Sequence, residues 1–79
     1  MEANNLIRMI NRIGEFLEAM PDREEAVEGI AQHIQKFWEP RMRLQILAAL
    51  AQPDQAELIA PLVREALKLH AEQLGTVAV

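Results

Sequence analysis

The sequence of 79 residues contains no cysteine, no serine and no tyrosine, and its single threonine is Thr76. Without cysteine the chain has neither disulfides nor thiolate metal ligands. Because ordinary hydroxyl and thiol nucleophiles are missing from the rest of the chain, covalent catalysis is not expected. Glycine is also scarce, and its three isolated copies at positions 14, 29 and 75 form no phosphate-binding loop.

Basic residues are outnumbered, 8 against 12 acidic, and the net charge of -4 argues against nucleic acid and makes a DNA-binding helix-turn-helix a remote alternative. The longest apolar run, residues 46–51, is far shorter than the roughly 18 residues of a membrane span. Polar residues near the N-terminus argue against a secretory signal. We therefore expect a soluble, cytoplasmic, single domain over residues 1–79, with residues 76–79 frayed.

A domain of this size buries only about 60% of the surface that its unfolded chain exposes. In the absence of disulfides, oligomerisation or a partner chain is the remaining aid to stability. This already favours a role as a subunit.

Apolar periodicity predicts an all-α fold, a small irregular bundle of three to four helices. The first helix is expected to begin after an N-cap at Asn4 or Asn5, with Met9 and Phe16 widening its apolar side. Gly14 either permits a close helix crossing or is a tolerated weak position. The apolar face of this helix consists of Leu6, Ile10, Ile13, Leu17 and Met20.

Pro21 is expected to end the first helix near Met20, and Asp22 with Glu25 has the form of a capping box for a second helix from about Arg23. Its apolar face consists of Val27, Ile30, Ala31, Ile34, Phe37 and Trp38. A third helix, residues 40–51, is apolar nearly all round. Such a short chain cannot easily cover that surface, which indicates an interface.

Residues 52–55 form a predicted turn in which Asp54 caps a short helical turn, and Pro61 restarts a helix that ends near Gly75. His70 lies in the middle of the apolar face of this last helix, whereas His33 borders the face of the second. Neither histidine has a second His or a carboxylate at the spacing of a metal motif. No catalytic, cofactor-binding or metal-binding residue is therefore predicted.

The segment between the second and third helices, residues 37–43, is the predicted partner interface, and we call it the corner. Pro40 disfavours helical geometry at Glu39, so two helices should meet here. Aromatic rings beside arginines suit docking, because they combine contact area with forked hydrogen bonds. The alternative is a tryptophan that caps a small core beside solvated arginines. The corner consists of Phe37, Trp38, Glu39, Pro40, Arg41, Met42 and Arg43.

Arg43 projects between two apolar positions of the third helix, Ile46 and Leu47. Its guanidinium must therefore reach solvent, pair with a carboxylate such as Glu39, or reach a second chain.

Several short runs occur together along the chain: Asn5-Leu6-Ile7-Arg8-Met9, Asn11, Ile13-Gly14, Phe16, Glu18-Ala19-Met20-Pro21-Asp22-Arg23, Gly29-Ile30-Ala31, the whole corner, then Pro61, Val63, Arg64, Ala66-Leu67 and His70. In this order they resemble the delta subunit of NAD-dependent formate dehydrogenase. The chain departs from that pattern at Ile10, Arg12 and Leu17, and none of these positions touches the corner motif.

The resemblance implies a non-catalytic accessory subunit of a soluble enzyme that oxidises formate to carbon dioxide and passes the electrons to NAD. It places the cofactors on other subunits: a molybdenum or tungsten bis-molybdopterin guanine dinucleotide, iron-sulfur clusters, FMN and NAD. The corner and the third helix would dock on the large catalytic subunit, with Trp38 as the anchor, and would support assembly or cofactor retention. Arg41 and Arg43 would contact carboxylates or, less commonly, a cofactor phosphate.

Two other functions remain open from the sequence. The first is a homo-oligomeric helical module in which the third helix pairs with its symmetry mate. The second is a cofactor-insertion chaperone that leaves once the enzyme has matured.

Overall fold

Residues 2–75, which the computed structural model describes, form six helices and no strand. The helices are α1 (Ala3–Leu17), α2 (Arg23–Phe37), α3 (Pro40–Leu50), α4 (Pro53–Ala56), α5 (Pro61–Leu69) and α6 (Ala71–Gly75). The all-α class is confirmed. The helical segments outnumber the predicted three to four, because α4 is a separate single turn and the last predicted helix breaks at His70. Residues 76–79, predicted to fray, lie outside this range, and no helix within it could cross a bilayer.

Prolines mark where helices begin. Pro40, Pro53 and Pro61 each occupy the first position of a helix, where the missing backbone N–H would have had no intrahelical partner. The predicted start of α2 near Arg23 is also confirmed, whereas Asp54, predicted to cap a short helical turn, lies inside the first turn of α4, whose N-cap is Gln52. The Asp22 carboxylate accepts a 2.9 Å hydrogen bond from the Glu24 N–H and satisfies a free donor of the first turn.

The bounds of α1 differ from those predicted. The helix begins at Ala3, with Glu2 as its N-cap, so neither of the two asparagines caps it. It ends at Leu17 and not near Met20, whose N–H forms a 3.0 Å turn hydrogen bond with the Leu17 carbonyl. Because Pro21 disfavours helical geometry at the residue before it, the chain leaves the helix about one turn early.

The core lies where α1, α2 and α5 meet and continues under α3, which packs against α1 and α6. At Gly14 of α1, a Cβ atom would lie 2.6 Å from Val63 Cγ2 on α5, far inside van der Waals contact. The glycine therefore permits the close crossing that the sequence left as one of two interpretations. The largest fully buried side chains are Leu6, Ile10, Ile30, Ile34, Ile46, Ile59, Leu67, Leu74 and Val63.

The short helix α6 folds back onto α3. His70 ends α5, donating its N–H to the Ala66 carbonyl at 3.1 Å, and α6 then places Leu74 in the core. A Cβ atom at Gly75 would lie 3.6 Å from Leu47 Cδ1 of α3. Because of this break, α3 is better covered than its sequence predicted, and His70 is half-buried at the break and not in the middle of a continuous apolar face.

Asn11 ties α1 to the connection between α4 and α5. Its Nδ2 donates to the Leu58 carbonyl at 2.9 Å, and its Oδ1 accepts from the Ala60 N–H, also at 2.9 Å. On a helical wheel Asn11 lies outside the apolar face of α1, so periodicity alone predicts that it faces solvent. The connection instead passes over it, and both backbone groups obtain partners that a loop would otherwise lack.

Candidate partner interface

Two residues in the middle of the corner have extended backbone geometry. Trp38 ends α2 with φ −93° and ψ 138°, and Glu39 precedes α3 with φ −67° and ψ 152°. Hydrogen bonds close both helix ends, from the Trp38 N–H to the Ile34 carbonyl at 2.9 Å and from the Arg43 N–H to the Glu39 carbonyl at 3.1 Å. The predicted meeting of two helices at Pro40 is confirmed.

The two aromatic side chains of the corner point in opposite directions. Trp38 is only 6% exposed and belongs to the hydrophobic core. Phe37 is 71% exposed, and its ring centroid lies 4.8 Å from that of His33, with the planes tilted by 46°. Trp38 therefore stabilises this chain, as in the alternative reading of the sequence, and the aromatic side chain that the corner exposes is Phe37.

Arg43 is the buried cation of the corner. It is 9% exposed and lies on the inner face of α3 with Ile46 and Ala49. Its Nε has no hydrogen-bond partner among residues 2–75, and pairing with Glu39, one of the three alternatives left open by the sequence, is not formed there. A buried donor without a partner costs about 1–3 kcal/mol, and because this atom is closed to solvent an acceptor on another molecule does not reach it in this arrangement.

The rest of the corner faces solvent around a shallow cleft. Glu39, Pro40 and Arg41 line the cleft together with Leu44 from the next turn of α3, and all four residues are exposed. Met42 is half-buried and packs against the core. The cleft thus contains an apolar side chain, Leu44, and a guanidinium, that of Arg41. Trp38 and Met42 of the corner instead pack in or against the core.

A second exposed surface was missed from the sequence. Phe16 and Met9 were expected to widen the core face of α1, but Phe16 is 81% exposed and Met9 is 36% exposed. The core arc of α1 is displaced toward Ile7 and Gly14, which are buried. Since Phe16 lies about 160° around the helix from Gly14, the close crossing at the glycine turns the phenylalanine outward. The glycine was the signal that could have shown this.

An open groove of about 370 Å³ runs between α1 and α2 beside Phe16. Gly29 forms part of it and leaves space for Leu17, since a Cβ atom at position 29 would lie 3.3 Å from Leu17 Cδ1. His33, the ring partner of Phe37, also lines the groove, which therefore adjoins the corner. The lining consists of Arg12, Ile13, Phe16, Leu17, Gly29 and His33.

An ion pair on the surface joins Arg23 Nε and Glu65 Oε2 at 3.3 Å, with both side chains well exposed. Within residues 2–75 no three His, Cys, Asp or Glu side chains converge in a way that could hold a metal ion.

Comparison with known families gave one description for the chain. The family model of the NADH-dependent formate dehydrogenase delta subunit, FdsD, matches residues 5–67, a range that includes the corner and the groove. No curated protein and no solved structure gave a match.

Proposed function

Since the chain belongs to the FdsD family of NADH-dependent formate dehydrogenase delta subunits, we propose that it is a non-catalytic subunit of a soluble, cytoplasmic formate dehydrogenase that docks on the large catalytic subunit. There it supports assembly of the complex or retention of the cofactor. The observation that carries this proposal is the family match over most of the chain.

The cofactors of the complex are assigned to other subunits in this proposal. Iron-sulfur clusters are held chiefly by cysteine thiolates, and the chain has no cysteine, so its residues do not fit such a cluster. It also has no glycine-rich fingerprint for FMN or NAD. The molybdenum or tungsten bis-molybdopterin guanine dinucleotide would likewise belong to the catalytic subunit.

The corner is the surface that we assign to the catalytic subunit. Phe37 and Leu44 supply exposed apolar area, and Arg41 supplies a guanidinium that can bind a carboxylate with two parallel hydrogen bonds. Arg43 is only 9% exposed and its Nε is closed to solvent, so Arg41 is the guanidinium of the corner that a partner can reach. A carboxylate is the commoner acceptor, and a cofactor phosphate is the other candidate.

The burial of Trp38 changes the choice of variant that tests the corner. Replacing a buried tryptophan with alanine costs about 3–5 kcal/mol of stability, so Trp38→Ala would weaken assembly whether or not the ring touches a partner. Phe37→Ser removes an exposed ring and leaves the core intact. Leu58→Ser is a matched control, because it removes another exposed apolar side chain outside the corner.

The experiment is co-purification of the tagged full chain with the other formate dehydrogenase subunits. Phe37→Ser should lower their recovery about tenfold, in keeping with the loss of a buried phenylalanine contact, while Leu58→Ser leaves it unchanged. Circular dichroism of both variants should match that of the parent chain. If the other subunits were recovered equally well with Phe37→Ser and with the parent chain, the corner would not be part of the interface. Recovery of the chain only with itself would contradict the subunit role.

Metal content distinguishes the two supporting roles. A complex that assembles without this chain but contains less molybdenum or tungsten would establish cofactor retention. Failure of the other subunits to associate in its absence would establish an assembly role. A fully loaded and active complex without the chain would contradict both.

A further inference from the structure

The groove between α1 and α2 is a second docking surface, distinct from the cleft of the corner. We propose that it binds an amphipathic helix of another formate dehydrogenase subunit, which packs apolar side chains against Phe16 and places a carboxylate beside Arg12. This inference rests on the proposed function, because it takes the partner helix from the same complex.

The shape of the groove suits a helix. Ile13 and Phe16 line the groove on the α1 side, and Met9 continues their stripe beyond the lining, so apolar side chains recur at steps of four and three residues over roughly 10 Å. On the α2 side Gly29 carries no side chain, and Leu17 lies against it. A partner helix laid into an apolar groove meets it with side chains at the same helical spacing.

The charge of the groove indicates which residues the partner carries. The chain as a whole has a net charge of -4, yet the lining contains Arg12 and neither an aspartate nor a glutamate. Arg12 forms no ion pair with residues 2–75. An acidic side chain on the partner helix would satisfy the guanidinium, and such complementarity selects the partner and its register.

A second copy of this chain fits the groove less well. In a two-fold dimer the same patch faces itself, and a lining that carries Arg12 and no carboxylate offers no acidic group to the Arg12 of the second copy. The groove also adjoins the corner through the contact between the His33 and Phe37 rings. One partner that covers the corner can therefore extend a helix into the groove without a separate binding event.

Photo-cross-linking from position 16 tests the proposal directly. The tagged full chain, with a benzophenone amino acid in place of Phe16, is produced together with the other formate dehydrogenase subunits and irradiated in the purified complex. We expect cross-links to one helical segment of another subunit, in which apolar residues recur at steps of three and four and an aspartate or glutamate is present. The same probe at Leu69, exposed on α5, should not reach that segment.

Substitutions test the energetic role of the groove. Phe16→Ser and Arg12→Glu should each lower recovery of the other subunits about tenfold, while the control Leu69→Ser leaves it unchanged. Replacing the cross-linked carboxylate with lysine should restore recovery with Arg12→Glu, since the pair of charges is then reversed.

The outcomes separate this inference from the proposed function. Loss of the complex with Phe37→Ser but not with Phe16→Ser would contradict the binding of a partner helix in the groove and would still support the subunit role. Cross-links only to a second copy of the chain would replace the partner helix with a homodimer contact. A chain that never co-purifies with formate dehydrogenase subunits would overturn both.

Discussion

The contact between Gly14 and Val63 gives the sharpest test of the packing. An alanine Cβ at position 14 would lie 2.6 Å from Val63 Cγ2, about 1 Å inside the carbon–carbon separation at which attraction is greatest. Val63 is fully buried, and a β-branched side chain on a helix has one strongly preferred rotamer. The methyl group cannot rotate away, so Gly14→Ala must push α1 and α5 apart.

Gly29 is the matched control for this substitution. It too lies within a helix, so Gly29→Ala gains the same helix propensity, about 1 kcal/mol. Its new Cβ would meet Leu17 Cδ1 at 3.3 Å, and the end of a half-buried leucine can shift by a few tenths of an ångström. We expect Gly29→Ala to be neutral or stabilising by up to about 1 kcal/mol.

The difference between the two variants isolates the cost of the crossing, because the gain in propensity cancels. Overpacking of a core costs about 1–3 kcal/mol, so Gly14→Ala should be less stable than Gly29→Ala by that amount. For a domain of this size the difference corresponds to at least about 4 °C in Tm. Urea and thermal unfolding, followed by helical circular dichroism, measure both quantities.

A double mutant completes the test. Val63→Ala removes the methyl group that the new Cβ would strike, so Gly14→Ala should cost less in that background than in the parent chain. We expect a coupling free energy of about 1 kcal/mol or more between the two positions. If Gly14→Ala were as stable as Gly29→Ala, the close crossing of α1 and α5 would be refuted.

Three further stability predictions follow from named hydrogen bonds and charges. Asn11→Ala should destabilise the chain by about 1–3 kcal/mol in urea unfolding, since it leaves two backbone groups of the α4–α5 connection without partners; Asn5→Ala, at an exposed position, should change little. Asp22→Ala should cost about 1 kcal/mol and lower the helix content of α2, and a Tm equal to that of the parent chain would contradict its capping role. Arg23→Gln should cost less than about 1 kcal/mol, because its ion pair with Glu65 is exposed; a large loss that disappears in high salt would show that the pair had been undervalued.

The fluorescence of Trp38 offers a separate check on the corner. The chain has one tryptophan and no tyrosine, so its emission reports on this ring alone. Because Trp38 is buried in the chain's own core, emission of the isolated chain should be blue-shifted relative to the unfolded chain. An unfolded-like emission that shifts only in the complex would mean that a partner buries the ring.

Local chemistry determined where α2, α3 and α5 begin, and this much could be predicted from the sequence. Prolines at the first position of α3 and α5 and the cap at Asp22 act on the residues next to them, so their effect does not depend on the rest of the fold. The resemblance to the formate dehydrogenase delta subunit could also be read from the sequence, and the family match over residues 5–67 confirms it.

Tertiary structure decided which side chains the helices bury and which they expose. Periodicity defines an apolar arc on α1, but the approach of α5 at Gly14 chose its buried part and turned Phe16 outward. In the same way the angle of the corner sent Trp38 inward and Phe37 outward. Contacts between segments distant in sequence set these orientations, so apolar periodicity alone does not encode them. The corner was predicted from residue types alone, whereas the groove and the buried Nε of Arg43 required the packed helices.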